Sequence, residues 1–181
     1  MDRALPSGGR SRGFESLLAR LQLAIISDTH MPKGGRVIPE ACLARLRAAD
    51  AILHAGDLVA VEVLELLESL GPPVHAVHGN VDEPALRVRL PAVRLVEADG
   101  ARIVMTHDGG PSSRRLDRLR ARFPDVDAVV FGHSHLPLHE ERDGFHIFNP
   151  GSPTERRRAP RHTMGVATAR AGRLEFALIE L

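Results

Sequence analysis

The chain has 181 residues, with 43% hydrophobic and 26% charged content, ordinary globular values that exclude a disordered chain and make one domain the expectation. A formal net charge of +1, with no Trp, no Tyr and six Phe, leaves few rings for bases to stack on, so general nucleic-acid binding is not expected. A single cysteine, Cys42, excludes an internal disulfide, and no apolar run approaches the roughly 18 residues of a membrane span, so a cytoplasmic protein without membrane association is expected.

Residues 1–20 carry Arg, Ser and Gly without an apolar block and are expected to form a flexible extension, with one domain over 21–181. Leu21 to Ser27 is a nearly continuous apolar run, the pattern of a strand buried on both faces, and it stops at Asp28-Thr29-His30. Pro39 opens a helix to about Ala48, and Ala51 to His54 is a short strand ending at Ala55-Gly56-Asp57. Val61 to Leu70 is apolar at helical spacing and is closed by Gly71-Pro72; the strand from Val74 to His78 ends at Gly79-Asn80-Val81-Asp82.

Asp99-Gly100 then joins Val93–Glu97 to Arg102–Thr106 as a hairpin whose second strand runs into His107. Ser112 to Phe123 is a basic amphipathic helix, and its Arg114, Arg115, Arg118, Arg120 and Arg122 read as a solvated face. Asp127 to Phe131 is a strand leading to Gly132-His133-Ser134-His135. Asp143-Gly144 marks another hairpin before Asn149-Pro150-Gly151-Ser152, and Ala171-Gly172 a closing one. Helices between strands, followed by hairpins, predict an α/β domain with mixed sheets, whose functional groups gather beyond strand carboxyl ends.

Those ends carry the chemistry. Asp28 and His30, two apart, face the same way if the strand geometry persists, and together could grip one ion; His133 and His135 repeat the spacing. Asp57 has two carboxylate oxygens and could bridge neighbouring ions, and Asn80 and His107 add an amide oxygen and an imidazole. The mixed nitrogen and oxygen set suits Mn, Fe, Co, Ni or Zn better than Mg or Ca, with Mn²⁺ the first choice. His54 and His78 lie nearest these motifs and are the histidines with a claim to donate a proton to substrate.

In this order, Asp28-x-His30, Gly56-Asp57, Gly79-Asn80-x-Asp82, the lone His107 and Gly132-His133-x-His135 strongly resemble the motifs of the calcineurin-like metallophosphoesterase superfamily. Within it, the chain is most similar to the small YfcE-like phosphodiesterase family, which shares the Asn149–Ser152 segment. The resemblance implies a four-layer α-β-β-α sandwich with two mixed sheets. It also implies a dinuclear metal centre: Asp28, His30, Asp57 and His135 on one ion, and Asp57, Asn80, His107 and His133 on the other. Asp57 and Asn80 would act on the reaction through the two metals and the hydroxide held between them. Asp82 and Asn149 are expected to orient ligands or loop backbone, and Arg158 and Arg161 are expected to hold substrate phosphate.

Two departures narrow the expected substrate. The phosphoprotein phosphatases of this superfamily carry an Asp-Arg pair downstream of Gly-Asp, and a His after the Asn. Here the chain reads Leu58-Val59-Ala60-Val61 and Val81, which points to a small-molecule phosphodiester. Asp108 follows His107 where relatives usually have Gly. Two alternatives stand beside this expectation: a phosphomonoesterase, and a protein-binding scaffold such as the retromer subunit of the same superfamily, whose metal site is degraded. A homo-oligomer stays open.

Overall fold

The computed structural model describes residues 20–181; the extension expected over 1–20 lies, apart from Arg20, outside the described residues. Two five-stranded sheets face each other. The first has the order β10-β9-β1-β2-β3, where β1 is Leu21–Ile26, β2 Ala51–His54, β3 Val74–Ala76, β9 Thr163–Arg170 and β10 Arg173–Glu180. The second has the order β4-β5-β6-β8-β7, where β4 is Val93–Ala98, β5 Ala101–Thr106, β6 Ala128–Val130, β7 Leu138–Arg142 and β8 Phe145–Asn149. Both are mixed: β1, β2 and β3 pair in parallel, as do β5, β6 and β8, while the remaining neighbours run antiparallel.

The apolar runs make sense strand by strand. Leu23 and Ile25 of β1 point into the layer between the sheets, against Ile103, Met105, Val130 and Phe148. Their neighbours Ala24 and Ile26 point the other way, under α1 (Glu40–Ala48) and α2 (Val61–Glu68), where Cys42, Leu46, Leu64 and Leu67 pack. In the second sheet Val129 and Phe131 lie under Leu116 and Leu119 of α4 (Arg115–Arg122). Burying each large aliphatic chain contributes roughly 1.5–3 kcal/mol, so a strand covered on both faces has no use for polar alternation. Helix, sheet, sheet and helix thus stack in four layers, as the resemblance implied.

A short helix that the sequence does not announce, α3 (Pro84–Arg89), begins with proline in its first turn and buries Leu86 in the same core cluster as Leu64 and Leu67 of α2. Among the described residues no helix is long and apolar enough to cross a membrane.

Candidate metal centre

The six parallel strands of the two sheets end on one rim, and the motif loops continue from them side by side. Asp28 N and His30 N donate to the carbonyls of Gly56 and Asp57, and Gly132 N donates to His107 O. Loops distant in sequence are therefore registered to one another by backbone hydrogen bonds.

Two groups of side chains result. Ligating atoms of Asp28, His30 and His135 lie within 4.8 Å of one another, as do those of Asp57, His107 and His133. Asp57 joins the groups: its Oδ2 is 3.4 Å from His30 Nε2 and 3.1 Å from His107 Nε2. Asn80 Oδ1 completes the second group, 3.1 Å from His107 Nε2 and 2.9 Å from His133 Nδ1. All seven positions singled out in the sequence meet here.

The imidazoles are aimed by their opposite nitrogens. His107 Nδ1 lies 2.8 Å from Ala55 O and His135 Nδ1 2.5 Å from Glu155 O, which leaves each Nε2 facing the cluster. His30 Nδ1 faces the Glu155 carboxylate at 3.4 Å, and Arg36 holds that carboxylate at 2.8 Å. Among the described residues only three buried side-chain polar atoms lack a hydrogen-bond partner, and two of them are His30 Nε2 and His135 Nε2. Buried polar atoms are rarely left unpaired. Their convergence on carboxylate oxygens fits a divalent cation, the group that the donor set calls for.

Electrostatics agree with the geometry. Burial works to lower the His30 pKa, but Asp28 and Asp57, with Glu155 beyond, outweigh it and raise the imidazole to about 9. Burial opposes ionisation of Asp57 as well, yet the His107 and His30 rings hold its carboxyl well below the usual range. His107 is likewise raised against its burial by the Asp57 carboxylate. The carboxylates thus favour positive charge on the His30 and His107 rings, the charge that a cation would also supply.

The spacing of Asp28 and His30 predicts a shared face on extended backbone, and here the structure differs. Asp28 (φ 56°), His30 (φ 47°), Asp57 (φ 60°), His133 (φ 70°) and His135 (φ 58°) are all left-handed. The residues two apart converge because each loop alternates its hand, a conformation disfavoured for non-glycine residues and concentrated at functional sites. Gly132 is required for close approach, because a Cβ there would lie 1.8 Å from Ser27 Oγ and 2.6 Å from Asp28 Oδ2.

Asp82 is buried and accepts from Gly79 N at 2.7 Å, Val59 N at 2.6 Å and Asp57 N at 3.2 Å. Asn149 donates to Gly132 O at 2.8 Å and accepts from Gly151 N at 2.8 Å. Neither Arg158 nor Arg161 bonds a residue of the cluster: Arg158 is exposed, and Arg161 Nε is 3.9 Å from Glu180 Oε2 on β10. Arg157 is the arginine of that loop whose charge reaches His135. On α4, Arg115 and Arg118 bond backbone carbonyls and Arg120 pairs with Asp143. His54 is fully enclosed, with Gly56 N donating to its Nδ1 and its Nε2 3.2 Å from Thr29 Oγ1; burial pushes its pKa down, so it has no path to a substrate. Glu155 escaped the sequence reading, since a lone glutamate among arginines carries no motif signal.

A family model described as the calcineurin-like phosphoesterase superfamily domain matches residues 21–172. A probable metallophosphoesterase of Methanothermobacter thermautotrophicus is 37% identical over 136 residues, 73% of this chain and 77% of that one. Phosphodiesterase YfcE of Escherichia coli is 33% identical over 96 residues, half of each chain. Among solved structures, a Vps29 single mutant from Entamoeba histolytica superposes with a TM-score of 0.72 at 22% identity, covering 89% of this chain and 99% of that one, a likeness of fold.

Proposed function

This chain belongs to the calcineurin-like phosphoesterase superfamily, and from that premise we propose that it is a phosphodiesterase that uses two divalent cations, Mn²⁺ foremost, to hydrolyse a small-molecule diester. The observation that carries this reading is Asp57 Oδ2, which stands between His30 Nε2 and His107 Nε2 at 3.4 and 3.1 Å. One oxygen thereby serves both halves of the cluster.

Asp28, His30 and His135 would hold one cation, Asn80, His107 and His133 the other, and Asp57 both. When bound, such a pair lowers the pKa of a water to supply a nucleophile and neutralises charge on phosphorus oxygens. The chain's own part is to keep its imidazoles aimed. Glu155 O and Ala55 O fix the Nδ1 protons of His135 and His107, and Asp82 fixes the loops that carry Asp57 and Asn80.

Two features support a diester. Val81 stands where phosphoprotein phosphatases place a histidine, so an alkoxide leaving group finds no proton donor at that position. The names of relatives, YfcE among them, point the same way. The scaffold alternative is disfavoured because every candidate position keeps a ligating side chain and the set converges. A cytoplasmic setting is supported by the single cysteine, free and buried.

Protein loaded with Mn²⁺ should hydrolyse bis(p-nitrophenyl) phosphate faster than p-nitrophenyl phosphate, and chelation should abolish both activities. Asp57→Asn and His133→Ala should each cost more than about 100-fold in kcat/KM, because even groups one step behind a metal cost about 10–100-fold. Turnover that survives both chelation and these variants would overturn the reading.

A further inference from the structure

An open cavity of about 330 Å³ adjoins the cluster on the side of Asn80, His107 and His133, with Arg87 and Asp108 in its walls. Arg87 is held in place: its Nε donates to Asp82 O at 3.0 Å and its Nη2 to Asn80 O at 2.6 Å. Asp108 is exposed, and Oδ1 accepts from Gly110 N at 2.7 Å, which fixes the carboxylate. Among the described residues no hydrogen bond engages its second oxygen. A carboxylate beside a site for an anionic phosphodiester is repulsive unless something offsets it, and the anchored guanidinium of Arg87 in the same cavity is the offset.

A fixed, half-used acceptor in a pocket wall is a device for recognising hydroxyl or amine hydrogens. The volume stands at the lower end of small-molecule sites, and no Phe lines it, in a chain without Trp or Tyr. A flat base would find no stacking partner beyond imidazole; a small polar alcohol would find acceptor, donor and room. Resting on the diesterase reading above, we propose that this cavity is a specificity subsite for one alcohol arm of the diester, that this arm carries a vicinal diol of the glycerol or ribose kind, and that Asp108 accepts its hydroxyls.

The test compares p-nitrophenyl glyceryl phosphate with p-nitrophenyl propyl phosphate, which share a leaving group and differ in the diol, on Mn²⁺-loaded protein. The wild type should favour the glyceryl ester by about tenfold or more in kcat/KM, the scale of one hydrogen bond to a charged acceptor. Asp108→Asn, which keeps an acceptor for Gly110 N and so protects the loop, should cut that ratio, and Asp108→Ala should bring it near one. A ribosyl ester run in parallel distinguishes the two diol sources. A wild type indifferent to the diol, or variants that slow both esters equally, would overturn the subsite while leaving the diesterase intact. Turnover of neither ester would take down both.

Discussion

At the scale of single residues, the centre depends on positions where the backbone is strained or crowded. Gly79 shows how little slack exists: a Cβ there would lie 2.0 Å from Asp57 Oδ1 and 2.5 Å from Asp57 N. Asp57 cannot yield without leaving His30 and His107. Gly79→Ala should therefore cost about 1–3 kcal/mol of stability and about 100-fold in activity, the price of an ångström of misplacement. Wild-type turnover in that variant, read alongside a urea titration, would show that Asp57 has room to move. The glycine is visible in the sequence, but its reason is not, because the crowding comes from Asp57 in the loop after β2, which is adjacent only after β2 and β3 pair. The same holds for Glu155, which is recognisable only once the loop after β8 folds over His30 and His135. The seven candidate positions are legible because each stands close to the end of an apolar run, and such a place is a local property of the chain.

At the scale of elements, the strands read well and the loops did not. β2 matches its sequence boundaries because an apolar run buried on both faces leaves no ambiguity of register, whereas α3 is six residues long and too short for helical periodicity to show. What binds the elements at the rim is Asp82, whose carboxylate takes backbone N–H groups from the loop after β2 and the loop after β3. Removing it orphans three donors, two of them on the buried residues Asp57 and Gly79, and a buried donor left unpaired costs about 1–3 kcal/mol. Asp82→Ala should thus destabilise the metal-free protein by about 3 kcal/mol or more, as measured by urea denaturation. Asp82→Asn, which keeps one acceptor oxygen, should fall between. A loss below about 0.5 kcal/mol in the alanine variant would place the hold on these loops elsewhere.

At the scale of the whole molecule, the protons in the centre couple stability to pH and to metal. His30 titrates near 9 in the fold against an ordinary 6.5, and His107 is raised as well. A raised folded-state pKa contributes stability that is fully present below the ordinary value and is lost as pH climbs through the folded one. The chelated protein should therefore melt at lower temperature as pH rises from about 6.5 to about 9. A cation needs the same imidazoles neutral, so it competes with those protons and binds more tightly over that very window. At a fixed excess of Mn²⁺, the gain in melting temperature over the chelated protein should grow as pH rises, reaching about 2.7 kcal/mol of added stability where the free ion is 100 times its Kd. Calorimetry with and without chelator at three pH values measures both slopes at once. Their opposition in sign is the diagnostic, because a cation bound outside the histidine cluster would raise the melting temperature without reversing the dependence on pH; a metal-induced gain that stayed level across the window would mean that His30 keeps its proton and takes no ion.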